Sequence, residues 1–283
     1  MALKIPIKKL ANLLYKVLLL HTFVRSRKEK IFFKESDFLV VTIAYNNLET
    51  IKIQHSLITT NLVDDFNYLI ADNSNDKNIS EKIELFCTEN TISYVKIPRN
   101  PLSNIRASGS HGIALNWSFV NIVEKYKPKF WGFLDHDIFP IKKTEILKHI
   151  KIGLWGAIRS RGTHWWYLWP GFCFFEREKT KQYKFDFSPY HAGVDGLTFL
   201  DTGGSNYNSI YKKIDRKSID EAETKLIDIR TKKEFKKGDD SSQVFEIIDK
   251  SWLHLRQIAW RKESSNKISQ QEAILDVANL YIN

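Results

Sequence analysis

Between residues 38 and 137, continuous apolar runs alternate with segments of helical periodicity. A continuous apolar run is typical of a strand that is covered on both faces. The predicted strands span 38–45, 66–74, 92–98 and 129–137, and the predicted helices between them span 48–62, 79–90 and 109–126. Strands that alternate with helices of ordinary length indicate βαβ units and a mostly parallel sheet. The predicted fold class is therefore α/β, with helices flanking the sheet.

Polar side chains follow three of these four strands. Tyr45 and Asn46 follow the first strand, Asp72 lies near the end of the second, and Asp135 and Asp137 end the fourth. Right-handed crossovers bring the carboxyl ends of parallel strands to one edge of a sheet, where ligands of open α/β folds bind. A single aspartate there is often a turn or capping residue. Agreement among three strand ends favours a ligand site.

The motif FLDHD sets Asp135 and Asp137 two residues apart. On an extended chain both side chains would point to the same side, with His136 pointing away. Two adjacent carboxylates repel each other unless a cation or a proton lies between them. Mg²⁺ and Mn²⁺ prefer carboxylate, phosphate and water ligands, so either ion would suit the pair. The spacing alone also permits phosphoryl chemistry or a capped turn.

Beyond Pro140 the pattern is less regular. Residues 155–178 are rich in aromatic side chains and are predicted to be strand-like. Trp165, Trp166 and Trp169 could belong to the core or could stack against the flat face of a sugar. Arg99, Arg106 and Arg159 are candidate phosphate contacts, and the sequence does not single one out.

Composition narrows the choice of compartment and partner. The chain has 283 residues, 43% of them hydrophobic, as expected for a packed globular protein. Its two cysteines do not form a disulfide framework, which favours a reducing, cytoplasmic compartment. The net charge of +10 indicates an acidic partner, which could be a nucleic acid, an anionic lipid or a phosphorylated ligand.

Residues 1–30 form a basic segment in which apolar residues recur at helical spacing. The apolar stretch is interrupted by Lys16 and is shorter than the roughly 20 residues that a spanning helix needs. The segment is predicted to lie on an anionic membrane surface or, alternatively, to pack against the protein itself.

The order of the motifs resembles that of GT-A glycosyltransferases, in particular family-2-like enzymes with nucleotide-sugar donors. The resemblance extends over roughly residues 37–260. It depends on VVTIAYNN at 40–47, LIADNS at 69–74, HGIALNWSF at 111–119, and FLDHD at 133–137 as the DxD motif. It implies a GT-A-like fold in which residues 31–140 form a Rossmann-like, nucleotide-sugar-binding half. Residues 141–283 would form the acceptor-binding half and a C-terminal helical region.

The same resemblance implies a set of site residues. The donor pocket would comprise Ala44, Tyr45, Asn46, Asp72, Asn104, Asn116 and Asp135; the metal ligands would be Asp135, Asp137 and His254; and the catalytic base would be Asp201, with Asp195 as its substitute. Asp201 could instead cap the segment that follows it, and His254 could instead be a packed histidine. The single aspartate in LDTGG departs from the acidic pair that many family members carry at the base position.

The implied function is metal-dependent transfer of a sugar from a nucleotide donor to a glycan or lipid-linked acceptor, with inversion, in cell-surface polysaccharide or glycan synthesis. The implied cofactor is Mn²⁺ or Mg²⁺. A UDP-sugar is the favoured donor, with GDP- and dTDP-sugars also considered. The expected location is cytoplasmic, with peripheral attachment at the cytoplasmic face of a membrane.

Two other functions fit parts of the sequence. A haloacid-dehalogenase-type phosphatase also begins its signature with an aspartate pair, and KKGDD at 236–240 could serve as its late acidic motif. Against this, Phe139 stands where that signature carries Thr or Val. A basic nucleic-acid-binding protein would explain the charge, but no recognised nucleic-acid-binding motif is present, so no nucleic-acid partner is expected. A GT-A fold that no longer catalyses is a further alternative.

Overall fold

The structure is a computed structural model. It describes residues 29–98, 107–162, 164–192, 198–228, 233–235 and 244–255. The predictions for residues 1–28, Asn104 and Asp195 lie outside the described residues. None of the helices in the described ranges is long and apolar enough to cross a membrane.

Thirteen strands are present in the described ranges. They are β1 (Glu29–Lys30), β2 (Phe38–Ala44), β3 (Asn67–Asp72), β4 (Ser93–Lys96), β5 (Phe130–Asp135), β6 (Ile138–Pro140), β7 (Leu154–Arg161), β8 (Trp165–Glu176), β9 (Tyr190–Ala192), β10 (Thr198–Leu200), β11 (Thr224–Asp228), β12 (Val244–Ile248) and β13 (Trp252–His254).

The main sheet has seven strands in the order β1-β4-β3-β2-β5-β8-β7. Strands β4, β3, β2 and β5 are parallel to one another, whereas β1 and β8 are antiparallel to their neighbours. Because β7 pairs antiparallel with β8, it runs in the same direction as β5, so five of the seven strands share one direction. The predicted α/β class with a mostly parallel sheet is confirmed.

Helices cover both faces of this sheet, which explains why its strands are continuously apolar. The α-helices are α1 (Leu48–Asn61), α2 (Lys77–Glu89), α3 (Ala107–Ser118), α4 (Glu124–Tyr126), α5 (Arg177–Thr180) and α6 (Asn206–Ser209), and a π-helical turn at Phe119–Val123 joins α3 to α4. One buried cluster joins α1 and α2 to β3 and β4, and another packs α3 against β2, β3 and β5.

The order of the parallel strands creates a switch point between β2 and β5. From β2 the chain adds β3 and β4 on one side, and it then returns to place β5 on the other side. In open α/β sheets, ligands bind in the crevice outside the carboxyl ends of the strands at such a point. The tails of β2 and β5 are therefore where the fold places its principal binding crevice.

A second sheet, in the order β11-β12-β13-β6, is attached directly to this crevice. Strand β5 ends at Asp135, and a tight turn at residues 136–137 leads into β6. The prediction that Asp135 and Asp137 lie on one extended strand is wrong, because the chain turns between them. This turn lets β6 pair with β13, so that His254 lies opposite Ile138.

Candidate functional site

Asp135 ends β5 at the switch point and is paired with a histidine from α3. The His111 Nε2 atom lies 3.1 Å from the Asp135 Oδ1 atom. Burial alone would raise the pKa of Asp135, but the adjacent His111 holds it below its usual range. Burial would likewise lower the pKa of His111, but the charge of Asp135, with those of Asp201 and Asp137, raises it. The site therefore favours an ion pair between a carboxylate and an imidazolium.

His111 was not among the site residues predicted from the sequence. Its pairing with Asp135 joins residues 24 positions apart, and neither apolar periodicity nor the spacing of the aspartates reports such a contact. The sequence feature that could have indicated His111 was its position at the start of HGIALNWSF, near the beginning of the helix that approaches the strand ends.

Strand β8 passes unusually close to Asp135. A Cβ atom added at Gly171 would lie 2.5 Å from Asp135 Oδ2 and 2.3 Å from the nearest ring atom of Trp169. Glycine within a strand often marks a close approach of this kind. At Gly203, where φ is +86°, an added Cβ would lie 2.4 Å from Pro170. Residues 169–171 and the loop after β10 thus form one wall of the crevice.

Asp137 faces the second sheet and is close to His254. The His254 Nε2 atom lies 3.8 Å from Asp137 Oδ1, and the Leu255 backbone N–H donates to the Asp137 carbonyl at 2.9 Å. Burial raises the pKa of Asp137, and the charge of Asp135 adds to this, against the opposing effects of His254 and His136. A buried carboxylate of this kind gains from a cation placed beside it.

The other side of His254 is held by a buried carboxylate. The His254 Nδ1 atom lies 2.9 Å from Glu246 Oε2, and Arg159 donates to both oxygens of Glu246 at 2.8 and 2.7 Å. Burial would raise the pKa of Glu246, but the bonds from His254 and Arg159 lower it to about 2. Arg159, a candidate phosphate contact from its sequence, is therefore engaged with Glu246.

Asp201 borders the same crevice from the loop after β10. It is exposed, and the Thr202 backbone N–H donates to its Oδ1 at 2.8 Å. The Thr202 hydroxyl donates to the Ser108 carbonyl at 3.1 Å, which ties the loop to the first turn of α3. The influence of Asp201 on the pKa of His111 indicates that its charge is close to the site. Its role as catalytic base stays a prediction.

The loop after β2 is tied to the loop after β3. The Ala44 carbonyl accepts from the Asn73 N–H at 2.9 Å, and the Asn46 N–H donates to the Ser74 hydroxyl at 2.8 Å. Asn46 has a φ of +48°, a left-handed conformation that asparagine tolerates. Ala44, Tyr45 and Asn46 therefore line the carboxyl end of β2, and their predicted contact with a base stays a prediction.

Asp72 is fully buried, and its carboxylate is surrounded by donors. It accepts from the Ser74 N–H at 2.8 Å, from Tyr94 and Lys96 at 3.0 Å each, and from the Ser80 hydroxyl. Burial would raise the pKa of Asp72, but Lys96 and the serines lower it. These contacts hold the β3 end to β4 and α2. The predicted contact with a base or ribose stays a prediction.

Asn116 fixes the segment that precedes β9. Its Oδ1 accepts from the Phe187 N–H at 2.8 Å, and its Nδ2 lies 3.2 Å from both Asp186 Oδ1 and Ser188 Oγ. An added Cβ at Gly112 would lie 2.7 Å from the Phe187 carbonyl, which shows how closely α3 packs here. Asn116 thus supports the wall of the crevice, and its predicted place in the donor pocket stays a prediction.

Among the described residues, no group of three or more His, Cys, Asp or Glu side chains is arranged so that it could hold a metal ion. The types of side chain present nevertheless suit a divalent cation that would take further ligands from a diphosphate and water. Asp135 and Asp137 supply carboxylate oxygens, and His254 has one nitrogen bonded to a carboxylate and the other directed at Asp137. Metal-binding histidines usually have such a carboxylate partner.

Comparison with family models found no match, and neither did comparison with curated proteins. Among solved structures, the chain is similar to TarS of S. aureus, at 16% identity and TM-score 0.34, over 53% of this chain and 30% of that one. It is similar to the mannosyltransferase PcManGT of Pyrobaculum calidifontis, at 12% identity and TM-score 0.39, over 61% of this chain and 53% of that one. This chain therefore spans about a third and about half of the lengths of these two proteins.

A third similar structure is glucosyl-3-phosphoglycerate synthase of Mycobacterium tuberculosis, in complex with Mn²⁺, UDP and glucosyl-3-phosphoglycerate. The identity is 14% and the TM-score 0.40, over 66% of this chain and 69% of that one. The solved structures that match thus include glycosyltransferases, the class whose motifs the sequence resembles.

Proposed function

We propose that this chain is a metal-dependent glycosyltransferase that uses a nucleotide-sugar donor. The observation that carries the proposal is the convergence of Asp135, Asp137 and His254 at the carboxyl edge of β5, where the strand order reverses. Two parts of the chain that are far apart in sequence, the end of β5 with its following turn and strand β13, bring two acidic side chains and an oriented imidazole to the place where α/β folds bind nucleotides.

In this proposal, Asp135, Asp137 and His254 would hold Mn²⁺ or Mg²⁺ where the diphosphate of the donor binds. When bound, the cation would neutralise the charge that develops on the departing diphosphate. The chain's own contribution is to keep Asp135 ionised, through His111 at 3.1 Å, and to hold Asp137 beside His254. The loops after β2 and β3 would receive the nucleoside, with a UDP-sugar as the favoured donor.

Transfer breaks the bond between the sugar C1 atom and the diphosphate oxygen, and it forms a bond between C1 and an acceptor oxygen. The proton of the acceptor hydroxyl goes to a carboxylate, and we assign this role to Asp201. Asp201 is exposed on the rim of the crevice, where an acceptor can reach it. Attack from the face opposite the leaving diphosphate would invert the configuration at C1.

We further propose a glycan or lipid-linked acceptor, in the synthesis of cell-surface polysaccharide or another glycan. Trp169 is partly exposed beside Asp135, and we propose that the part of its ring left uncovered by Arg159 and His254 contacts the apolar face of a sugar. The basic character of residues 1–30 supports cytoplasmic, peripheral attachment to an anionic membrane.

The proposal is tested by thermal unfolding with UDP, GDP, CMP and dTDP, each with and without Mn²⁺. A ligand at a hundred times its dissociation constant stabilises a protein by about 2.7 kcal/mol. For a chain of this size we expect a rise of several degrees for one nucleotide, only when Mn²⁺ is present. The same panel with EDTA is the control. If none of the nucleotides raised the unfolding temperature in the presence of Mn²⁺, that result would contradict the proposal.

A further inference from the structure

Four side chains, His254 among them, form a closed ring of contacts. His254 is bonded to Glu246, and Glu246 accepts from both terminal nitrogens of Arg159. The Arg159 guanidinium lies over the ring of Trp169, 4.5 Å from its centroid, and the Trp169 and His254 rings are 4.6 Å apart. Every member touches the next, so the imidazole is held both at its edge and at its face.

The hydrogen bonds in this ring determine which nitrogen of His254 carries the proton. Arginine has donors and no acceptor, so both Glu246 oxygens act as acceptors toward Arg159. The remaining lone pairs of Glu246 can only accept from His254, which must therefore donate through Nδ1. In the neutral ring, Nε2 is then the unprotonated nitrogen, and it is the atom that faces Asp137 at 3.8 Å.

We propose that Glu246 is a positioning residue for the metal site: it fixes the tautomer and the orientation of His254 so that Nε2 can bind a divalent cation beside Asp137. This role rests on the proposed function, because it presupposes that a cation binds there. Arg159 and Trp169 serve the same end, since they fix Glu246 and the plane of the imidazole.

The location of Glu246 supports this role over a purely structural one. The residue is only 3% exposed, and it lies directly opposite His254 in the pairing of β12 with β13. A buried ion pair contributes little to stability compared with well-packed apolar residues. Apolar side chains could fill this position between the two strands, but none of them could direct Nε2 of His254.

The test uses the full chain with Glu246→Leu, which keeps apolar bulk at this position and removes both acceptor oxygens. Nδ1 of His254 then loses its acceptor, and the carboxylate left beside the ring is that of Asp137, on the Nε2 side. The proton would move to Nε2, where it blocks metal binding. We expect Mn²⁺ affinity in the presence of UDP to fall about 10- to 100-fold.

Two readouts separate this role from others. Nitrogen-15 spectra of the metal-free protein report the tautomer of His254, with His254→Gln identifying its signals. We expect protonated Nδ1 in the wild type and in Glu246→Asp, and protonated Nε2 in Glu246→Leu. Free Mn²⁺ measured by electron paramagnetic resonance reports affinity. Glu221→Leu, at an exposed carboxylate 3.2 Å from Arg216, is the matched control and should change neither readout.

The possible outcomes are distinguishable. Protonated Nε2 in the wild type would overturn the role of Glu246 whether or not any variant folds. Unchanged Mn²⁺ affinity in folded Glu246→Leu would also overturn it, while leaving the proposed function standing. If the wild type showed the expected tautomer but bound no Mn²⁺ with any of the nucleotides, the proposed function would fail, and the positioning role with it.

Discussion

Replacing Asp137 with asparagine is expected to abolish metal-dependent nucleotide binding while leaving the fold intact. The substitution removes a proposed metal ligand whose Oδ1 lies 3.8 Å from His254 Nε2. It also relieves repulsion between two buried carboxylates, so the metal-free variant should unfold at the same temperature as the wild type or at a higher one. We expect turnover to fall by on the order of 10³-fold, as for the loss of a principal electrostatic stabiliser.

The measurement is nucleotide affinity by calorimetry, with and without Mn²⁺, alongside thermal unfolding of the metal-free protein. Asp65→Asn is the control, since Asp65 is an exposed residue that pairs with Lys34 away from the site. Metal-dependent binding that survived in Asp137→Asn would remove this residue from the metal site. A large loss of stability without metal would instead assign Asp137 a structural role.

Asp201→Asn is expected to stop transfer while leaving donor binding unchanged. The carboxylate is exposed at the rim of the crevice and is not one of the proposed metal ligands. Asparagine can still accept from the Thr202 N–H, so the loop should keep its conformation. Loss of a general base lowers rates by roughly 10²- to 10⁴-fold, and we expect a decrease in turnover of this size with an unchanged dissociation constant for the donor.

The matched control is Asp195→Asn, because Asp195 is the other candidate for the base. We expect Asp195→Asn to retain most of its activity. If Asp195→Asn were inactive and Asp201→Asn active, the base would be Asp195. A loss of donor affinity in Asp201→Asn as large as its loss of turnover would show instead that Asp201 belongs to the donor pocket.

The fold class was predictable because it depends on local pattern. A continuously apolar strand such as Phe38–Ala44 must be covered on both of its faces, because side chains on each face are apolar. The helices that connect the strands provide this cover. The polar residues at the ends of β2, β3 and β5 lie at one edge of the sheet, as the pattern predicted. The pattern did not predict the turn after Asp135. Apolar and polar spacing does not show whether a strand continues straight or turns within one or two residues.

The interactions around the site were less predictable because they join distant parts of the chain. His111 with Asp135, and Glu246 with Arg159 and His254, are tertiary contacts that no spacing reports. Asp72 illustrates the converse case. Its position after a strand suggested a ligand contact, whereas the structure surrounds it with four donors, including Lys96. A polar strand end can thus reflect internal hydrogen bonding.

The most direct test of glycosyl transfer is phosphorus-31 spectroscopy of UDP- and GDP-sugars incubated with the full chain and Mg²⁺. We expect the nucleotide sugar to convert to nucleoside diphosphate, including slow transfer to water, in the wild type and not in Asp137→Asn. A phosphatase would instead release inorganic phosphate from phosphate monoesters. Such release, dependent on Asp135 and accompanied by intact nucleotide sugars, would contradict the proposed function.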